Sequence, residues 1–333
     1  MDGDAVSQTR APRTPQQRID AALSALPRFG ADKPTLGAPV PSLAMPMHLS
    51  LDSVSMPVEV ADGQGLLAKA FRADALRPYT FDDAAAGATA AGTAGIAPLL
   101  VAASTKEEVL VFERLGTDWR MALAGDLRKP DVKSAVLAAK KKWHGQPRLA
   151  ITLSPFEVAR DYAARLQPHL DPASSFPIPF KGNIAFPQAM QWIARIEEAL
   201  AASGTDTAPI HGENAASNVM IGPDGRILLV DFDRAVNADP MLDLGSLCLE
   251  FCRNDRERME AVEIYTGTAD RAALARVKLY GIVDDFAWAC WALLAQVNPG
   301  MAGPEWLKYA SNRLIRMNYH LQTFDMCELL ASA

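Results

Sequence analysis

Glu213, Asn218 and Asp231 are the residues whose types and spacing could do chemistry, and the chemistry they suit is phosphoryl transfer. All three fall in the stretch APIHGENAASNVMIGPDGRILLVDFDRA, residues 208–235. Its first polar cluster is His211-Gly212-Glu213, with Asn218 shortly after; its second is Asp231-Phe232-Asp233. Apolar runs at 219–221 and 227–230 flank Gly222-Pro223-Asp224-Gly225, a strong turn signal. A tight antiparallel hairpin therefore sets Glu213, Asn218 and Asp231 side by side at one end. Moving a phosphoryl group needs a carboxylate to orient the attacking hydroxyl and oxygen ligands that hold Mg²⁺ on the phosphates. Glu213 suits the first task, and Asn218 with Asp231 the second. The competing reading is a surface hairpin carrying solvated acids.

The order His-x-acid, Asn, hairpin, Asp-Phe-x is also that of kinase catalytic and metal loops. The stretch resembles the aminoglycoside phosphotransferase and choline/ethanolamine kinase superfamily, whose pattern is His-Gly-Asp, Asn, then a hairpin ending in Asp-Phe/Trp-Asp/Glu. The likeness continues through Ala238-Asp239-Pro240-Met241-Leu242-Asp243-Leu244-Gly245. It implies a two-lobed, protein-kinase-like α+β fold using ATP and Mg²⁺. It makes Asp231 the main metal ligand with Asp233 assisting, and Asp243 and His211 braces of the catalytic loop. One departure lies at the centre: the family's catalytic acid is Asp, and here it is Glu213.

The 333 residues, 49% of them hydrophobic, can bury a large core in one large or two modest domains. A net charge of −6 argues weakly against nucleic acid as the main partner. No apolar run approaches the roughly 20 residues that span a bilayer. Residues 1–18 are polar, lack a signal-peptide core and read as a flexible tail, so a cytoplasmic protein is expected. Cys248, Cys252, Cys290 and Cys327 form no CxxC pair and read as free thiols. No internal repeat is evident.

Elements that position the chemistry follow in order. A helix with Ile19, Ala22, Leu23 and Leu26 on one face leads in. Residues 58–71 read as a hairpin whose second strand carries Lys69 among apolar residues; a lone Lys there needs an anion or solvent. By the kinase likeness Lys69 contacts the ATP phosphates, with an edge-strand surface Lys as the alternative. The helix Phe81–Thr93, FDDAAAGATAAGT, lacks the Glu that usually pairs with that lysine. Asp83 or Asp82 could take the role, or cap the helix instead. Strands at 99–103 and 109–113 lead to Phe112-Glu113-Arg114-Leu115-Gly116, which looks like a hinge, with Glu113 and Leu115 against the nucleotide. Residues 45–57, where a phosphate-covering loop belongs, contain no glycine; Ser50, Ser53 and Ser55 could donate hydrogen bonds there.

From 116 the chain reads as helical, giving an N-lobe over 19–115 and a C-lobe over 116–333 that carries the loops at 208–245. Ser154-Pro155-Phe156-Glu157 reads as a capping box. In Asp284-Asp285-Phe286-Ala287-Trp288-Ala289-Cys290-Trp291, the two Trp rings share a helix face beside Asp284 and Asp285. Aromatic faces with nearby acids suit an ammonium group; core packing is the alternative. The expectation is an ATP- and Mg²⁺-dependent kinase for the hydroxyl of a small, amine-bearing acceptor such as an amino alcohol. The competing expectation is a catalytically impaired kinase fold that binds a nucleotide, metabolite or partner protein.

Overall fold

The computed structural model describes residues 13–27, 34–44, 48–60, 63, 65–73, 75–170, 184–204, 206–301 and 305–333. Most of the expected tail lies outside them, and Pro15, within the segment read as tail, opens a helix. Helix α1 (Pro15–Ser24) starts with a reciprocal capping box between Thr14 and Gln17.

The smaller lobe is an antiparallel sheet in the order β1-β2-β3-β5-β4. Its strands are β1 (Thr35–Leu36), β2 (Ser53–Glu59), β3 (Gly65–Phe71), β4 (Leu100–Ser104) and β5 (Val109–Glu113). Strand alternation divides β3 into two faces. Leu66, Ala68 and Ala70 join Val109 and Val111 under Ile19, Ala22 and Leu23 of α1. Burying Ile19 or Leu23 in this way contributes about 1.5–3 kcal/mol each. Leu67, Lys69 and Phe71 face the other way, toward the second lobe, with Lys69 paired across to Ser55 and Leu110. Helix α2 (Phe81–Thr93), with the bounds expected from sequence, packs below that face.

The larger lobe is mostly helical. Its helices are α3 (Pro130–His144), α4 (Pro155–Leu166), α5 (Phe186–Ala202), α6 (Pro240–Phe251), α7 (Asp255–Thr266), α8 (Arg271–Val297), α9 (Trp306–Thr323) and α10 (Met326–Ser332). Helix α8 is apolar nearly all round, so it runs through the core with the other helices about it. Short strands sit at the junction: β6 (Arg120–Met121), β7 (Ala208–Ile210), β8 (Val219–Ile221), β9 (Ile227–Leu229) and β10 (Val236–Ala238). The expected hairpin is β8–β9, in register Val219↔Leu229 to Ile221↔Ile227, with Gly225 at φ +79° closing the turn. This is an α+β, two-lobed, kinase-like fold. Among the described residues no helix is long and apolar enough to cross a membrane.

Candidate active site

Strand β7 pairs with β10, Ile210 opposite Val236, and so lays the loop 211–213 against residues 234–235. Gly212 makes this possible: its φ is +79°, and a Cβ there would lie 2.4 Å from the carbonyl oxygen of Arg234. Asp243, in the first turn of α6, ties the loop down. It accepts from the backbone N–H of His211 (2.8 Å) and Gly212 (2.9 Å), from the Asn214 amide (2.9 Å) and from His144 Nε2 (3.0 Å). Lys140 Nζ is 3.4 Å away. Burial alone would raise the Asp243 pKa; Lys140 and His144 outweigh it and hold the carboxyl well below the usual carboxylate range. His211 Nε2–H donates to the Val230 carbonyl (2.8 Å), which leaves Nδ1 to accept from the Glu213 N–H (3.3 Å). Burial pushes the imidazole pKa down to about 3, so His211 is a neutral spacer between the two loops.

The hairpin delivers the metal-binding candidates. Asn218 ends the catalytic loop, its Nδ2 donating to the Glu213 carbonyl (3.2 Å) and its own carbonyl accepting from Val230 N–H (2.9 Å). Asp231 follows β9 in a left-handed conformation, φ 69° and ψ 58°. For a non-glycine residue that costs of order 1 kcal/mol. Lys69 reaches down from β3 between two acids, contacting Asp231 Oδ1 directly and Asp233 Oδ2 at 2.6 Å. Burial lowers the Lys69 pKa, but the two carboxylates more than offset it and keep the ammonium charged. Asp233, more deeply buried, is pushed up to about 8 by its burial and by Asp231 and Glu213, with Lys69 opposing.

Helix α2 does not supply the partner of Lys69. Asp83 accepts from the backbone N–H of Thr80 (2.9 Å) in a reciprocal capping box, and Asp82 accepts from the Thr105 hydroxyl (3.1 Å). Asp83 as a nucleotide-site residue is therefore corrected: its oxygen is committed to the helix start. The alanine- and glycine-rich face of α2 has a packing reason. A Cβ on Gly87 would lie 2.8 Å from the Cβ of Ala235 and 2.9 Å from the Phe232 carbonyl. The helix lies directly on the loop that follows Asp231, and Asp231 and Asp233 are the acids that pair with Lys69.

Between the lobes lies a cleft of about 320 Å³. Lys69, Asp231 and Asn218 line one end, and Phe112, Glu113 and Leu115 the hinge side. Ser50, Ser53 and Ser55 of the glycine-free segment line it as well, with Ser50 at φ 51°.

Sequence reasoning missed three residues. Glu213 is buried, its Oε1 3.0 Å from His48 Nε2 and its Oε2 3.7 Å from Arg234 Nε. Burial would raise its pKa; His48, Arg234 and Lys69 prevail and hold it down to about 2. Arg234 also pairs with buried Asp52 (3.1 Å). Arg234 could have been flagged, since it directly follows Asp231-Phe232-Asp233. His48 and Asp52 lie in a segment without period and carried no signal beyond their residue types.

The aromatic helix divides. Asp284 and Trp288 line a pocket of about 90 Å³ together with Gly212, Tyr79, Tyr162 and Arg234. Asp285 and Trp291 do not reach it: both are fully buried, Asp285 paired with Arg313 (3.2 Å) and Arg316, Trp291 edge-on to Trp306. Those two are corrected to core residues. A second pocket, of about 190 Å³, opens beside the catalytic loop between Ala215, His48, Glu250, Asn312 and Arg313. Among the described residues no group of three or more His, Cys, Asp or Glu is placed to hold a metal ion, and the candidate set here is instead an amide and one or two carboxylates.

A sheet lobe lies over a helical lobe, and a lysine, an asparagine and an aspartate converge in the cleft between them. The profile of the phosphotransferase enzyme family, APH, matches residues 108–294, more than half of the chain, and the chain belongs to that family. No curated protein gave a match. Among solved structures, a choline/ethanolamine kinase family protein from Mesorhizobium loti is similar over 96% of this chain and 99% of its own, with TM-score 0.75 and 20% identity. Choline kinase LicA from Streptococcus pneumoniae has TM-score 0.67 at 17% identity, covering 81% of this chain and 90% of its own. LicA in complex with AMP has TM-score 0.72 at 17% identity, over 92% and 97% of the two chains. At these identities the likeness speaks for the fold.

Proposed function

We propose that this chain transfers the γ-phosphoryl group of ATP to a hydroxyl of a small-molecule acceptor. The observation that carries the reading is Lys69 held between Asp231 and Asp233 at the floor of the inter-lobe cleft. Lys69 neutralises phosphate oxygens, and Glu113 and Leu115 flank the base at the hinge. Asn218 and Asp231 fit Mg²⁺, which binds proteins through one or two carboxylates plus substrate phosphates; Asp233 supports from behind. Bound there, Mg²⁺ supplies charge neutralisation of the phosphates. Glu213 orients the acceptor hydroxyl and takes its proton as the oxygen bonds to phosphorus and ADP leaves. Asp243 and His211 hold that loop in place. The structural relatives carry the names choline and ethanolamine kinase, which supports a small hydroxylated acceptor, and Asp284 and Trp288 line a pocket beside Gly212 that could receive it. A second reading, a kinase fold that binds nucleotide without turnover, is favoured by one observation: both oxygens of Glu213 already face basic side chains.

A ³¹P NMR time course with Mg-ATP and pooled hydroxylated acceptors, choline and ethanolamine among them, tests the proposal. A new phosphomonoester signal that vanishes in Glu213→Gln and Asp231→Asn supports it. Intact ATP together with no Mg-ATP thermal shift would overturn it.

A further inference from the structure

The aromatic cluster that could take an ammonium group is already filled by the chain itself. His48 is buried with its ring 4.7 Å edge-on from Trp288, 5.9 Å stacked against Trp291 and 5.7 Å from Tyr309, between centroids. Its carbonyl and both ring nitrogens have partners. Its carbonyl accepts from the Ser217 hydroxyl (2.5 Å), and Nδ1 lies 3.2 Å from Tyr309 Oη. That phenol accepts from Arg313 (2.9 Å), so its own proton is free for Nδ1, and Nε2–H is left to donate to Glu213. A directed chain of donors, Arg313 to Tyr309 to His48, thus ends on the catalytic carboxylate. The other face of Trp288 is taken too: the Arg234 guanidinium lies 4.5 Å from its centroid.

We infer that His48 is the specificity-determining residue of the acceptor site: by occupying the Trp288–Trp291–Tyr309 box and holding Glu213, it excludes a quaternary or primary ammonium, and the acceptor is an uncharged hydroxyl compound. The inference rests on the phosphotransferase reading for the word acceptor, and it replaces the amino-alcohol class. The pocket beside His48 agrees with it, since Glu250, Asn312 and Arg313 present donors and acceptors to a polyhydroxylated molecule. Two readings of one geometry are thereby separated. Aromatic rings near an acid at helical spacing attract a cation only when their faces are free, and here the chain's own basic side chains cover them.

Tetramethylammonium is a suitable probe because it has no hydroxyl and is held by aromatic faces. Tryptophan fluorescence of the full chain is titrated with it, for the wild type and for His48→Ala. The wild type is expected to give no saturable response. The folded variant is expected to bind at least roughly tenfold tighter, the gain of one or two freed ring faces. Saturable wild-type binding as tight as that of the variant would overturn the inference without any appeal to the variant's folding. So would a silent His48→Ala whose circular dichroism and cooperative melt match the wild type. Mg-ATP thermal shift of the wild type, run alongside, reads the phosphotransferase proposal separately. Its loss would sink that proposal and leave the box measurement standing.

Discussion

His48 Nε2 lies 3.0 Å from Oε1 of Glu213, so the smaller lobe's last segment before β2 touches the acid of the catalytic loop directly. The longer acid is explained by this contact. An Asp at 213 would draw the carboxylate back by one methylene and leave His48 Nε2 without its acceptor. The backbone cannot follow, because the loop is pinned by Asp243 at His211 and Gly212. Glu213→Asp is therefore expected to lower kcat by about a hundredfold, as a displacement near 1 Å does. An Asp variant faster than the wild type would show that Glu213 is a crippled base and not the acid this loop is built for.

Lys69, the proposed phosphate contact, also bears on stability through Asp231 and Asp233. Removing its charge leaves two carboxylates facing each other, and breaking a buried pair costs about 3–5 kcal/mol. Lys69→Met should fall at the low end, about 3 kcal/mol, because burial already holds the Asp233 pKa up at about 8 and the acid is readily neutral. Urea unfolding measures that loss, and the Mg-ATP thermal shift should disappear with it. Asp231→Asn separates the two effects. Its side chain is partly open to the cleft, so the fold should hold while the Mg-ATP shift is lost. A full shift in Asp231→Asn would remove that residue from the metal site.

What could be read from the sequence was what lies close in sequence. Asn218 and Asp231 are brought to one end of a hairpin whose turn and strand pattern are local, and both line the cleft, whereas the Glu213 carboxylate turns to His48 and Arg234. Helix α2 was legible to its ends because Thr80 and Asp83 write its cap. The same local chemistry explains a miss: from sequence Asp83 could cap the helix or reach Lys69, and in the fold its carboxylate accepts from the Thr80 N–H. Trp288 and Trp291 share a helix face, but α8 is covered on all sides, so spacing could not say which ring meets a pocket. His48 and Asp52 act through partners far along the chain, in a segment with no period.

Asp243 is the clearest case of a residue that acts through others. It is fully buried and accepts from two backbone N–H groups, Asn214 and His144. An amide in its place keeps one acceptor but turns a second donor toward groups that are donors themselves. Asp243→Asn should cost about 3 kcal/mol or more in stability, since Lys140 is left without its counter-ion. It should lower kcat more than it raises KM for ATP, because the cleft wall at Lys69 and the hinge does not include it. Equal losses in both would place Asp243 in nucleotide binding instead.

His211 gives the chain a pH dependence whose sign can be worked out. Burial holds its folded-state pKa down to about 3, below the ordinary imidazole value of about 6.5. Between those values the unfolded chain binds a proton that the native state refuses, so stability is present above pH 6.5 and is lost as pH falls toward 3. The slope from one such group is about 1.4 kcal/mol per pH unit. His320, whose burial pushes its pKa down to about 4, adds in the same direction. Asp284, pushed up to about 6 by burial, opposes below pH 6. His211→Gln isolates the term: it removes the titration and keeps a donor for the Val230 carbonyl. At pH 7 the variant should be less stable than the wild type, because the contacts of the ring are lost. The gap should narrow as pH falls from 6.5 to 5. Denaturant unfolding of both proteins over that range checks it; parallel curves would mean that His211 takes up a proton in the native state and is not the neutral spacer between Val230 and Glu213.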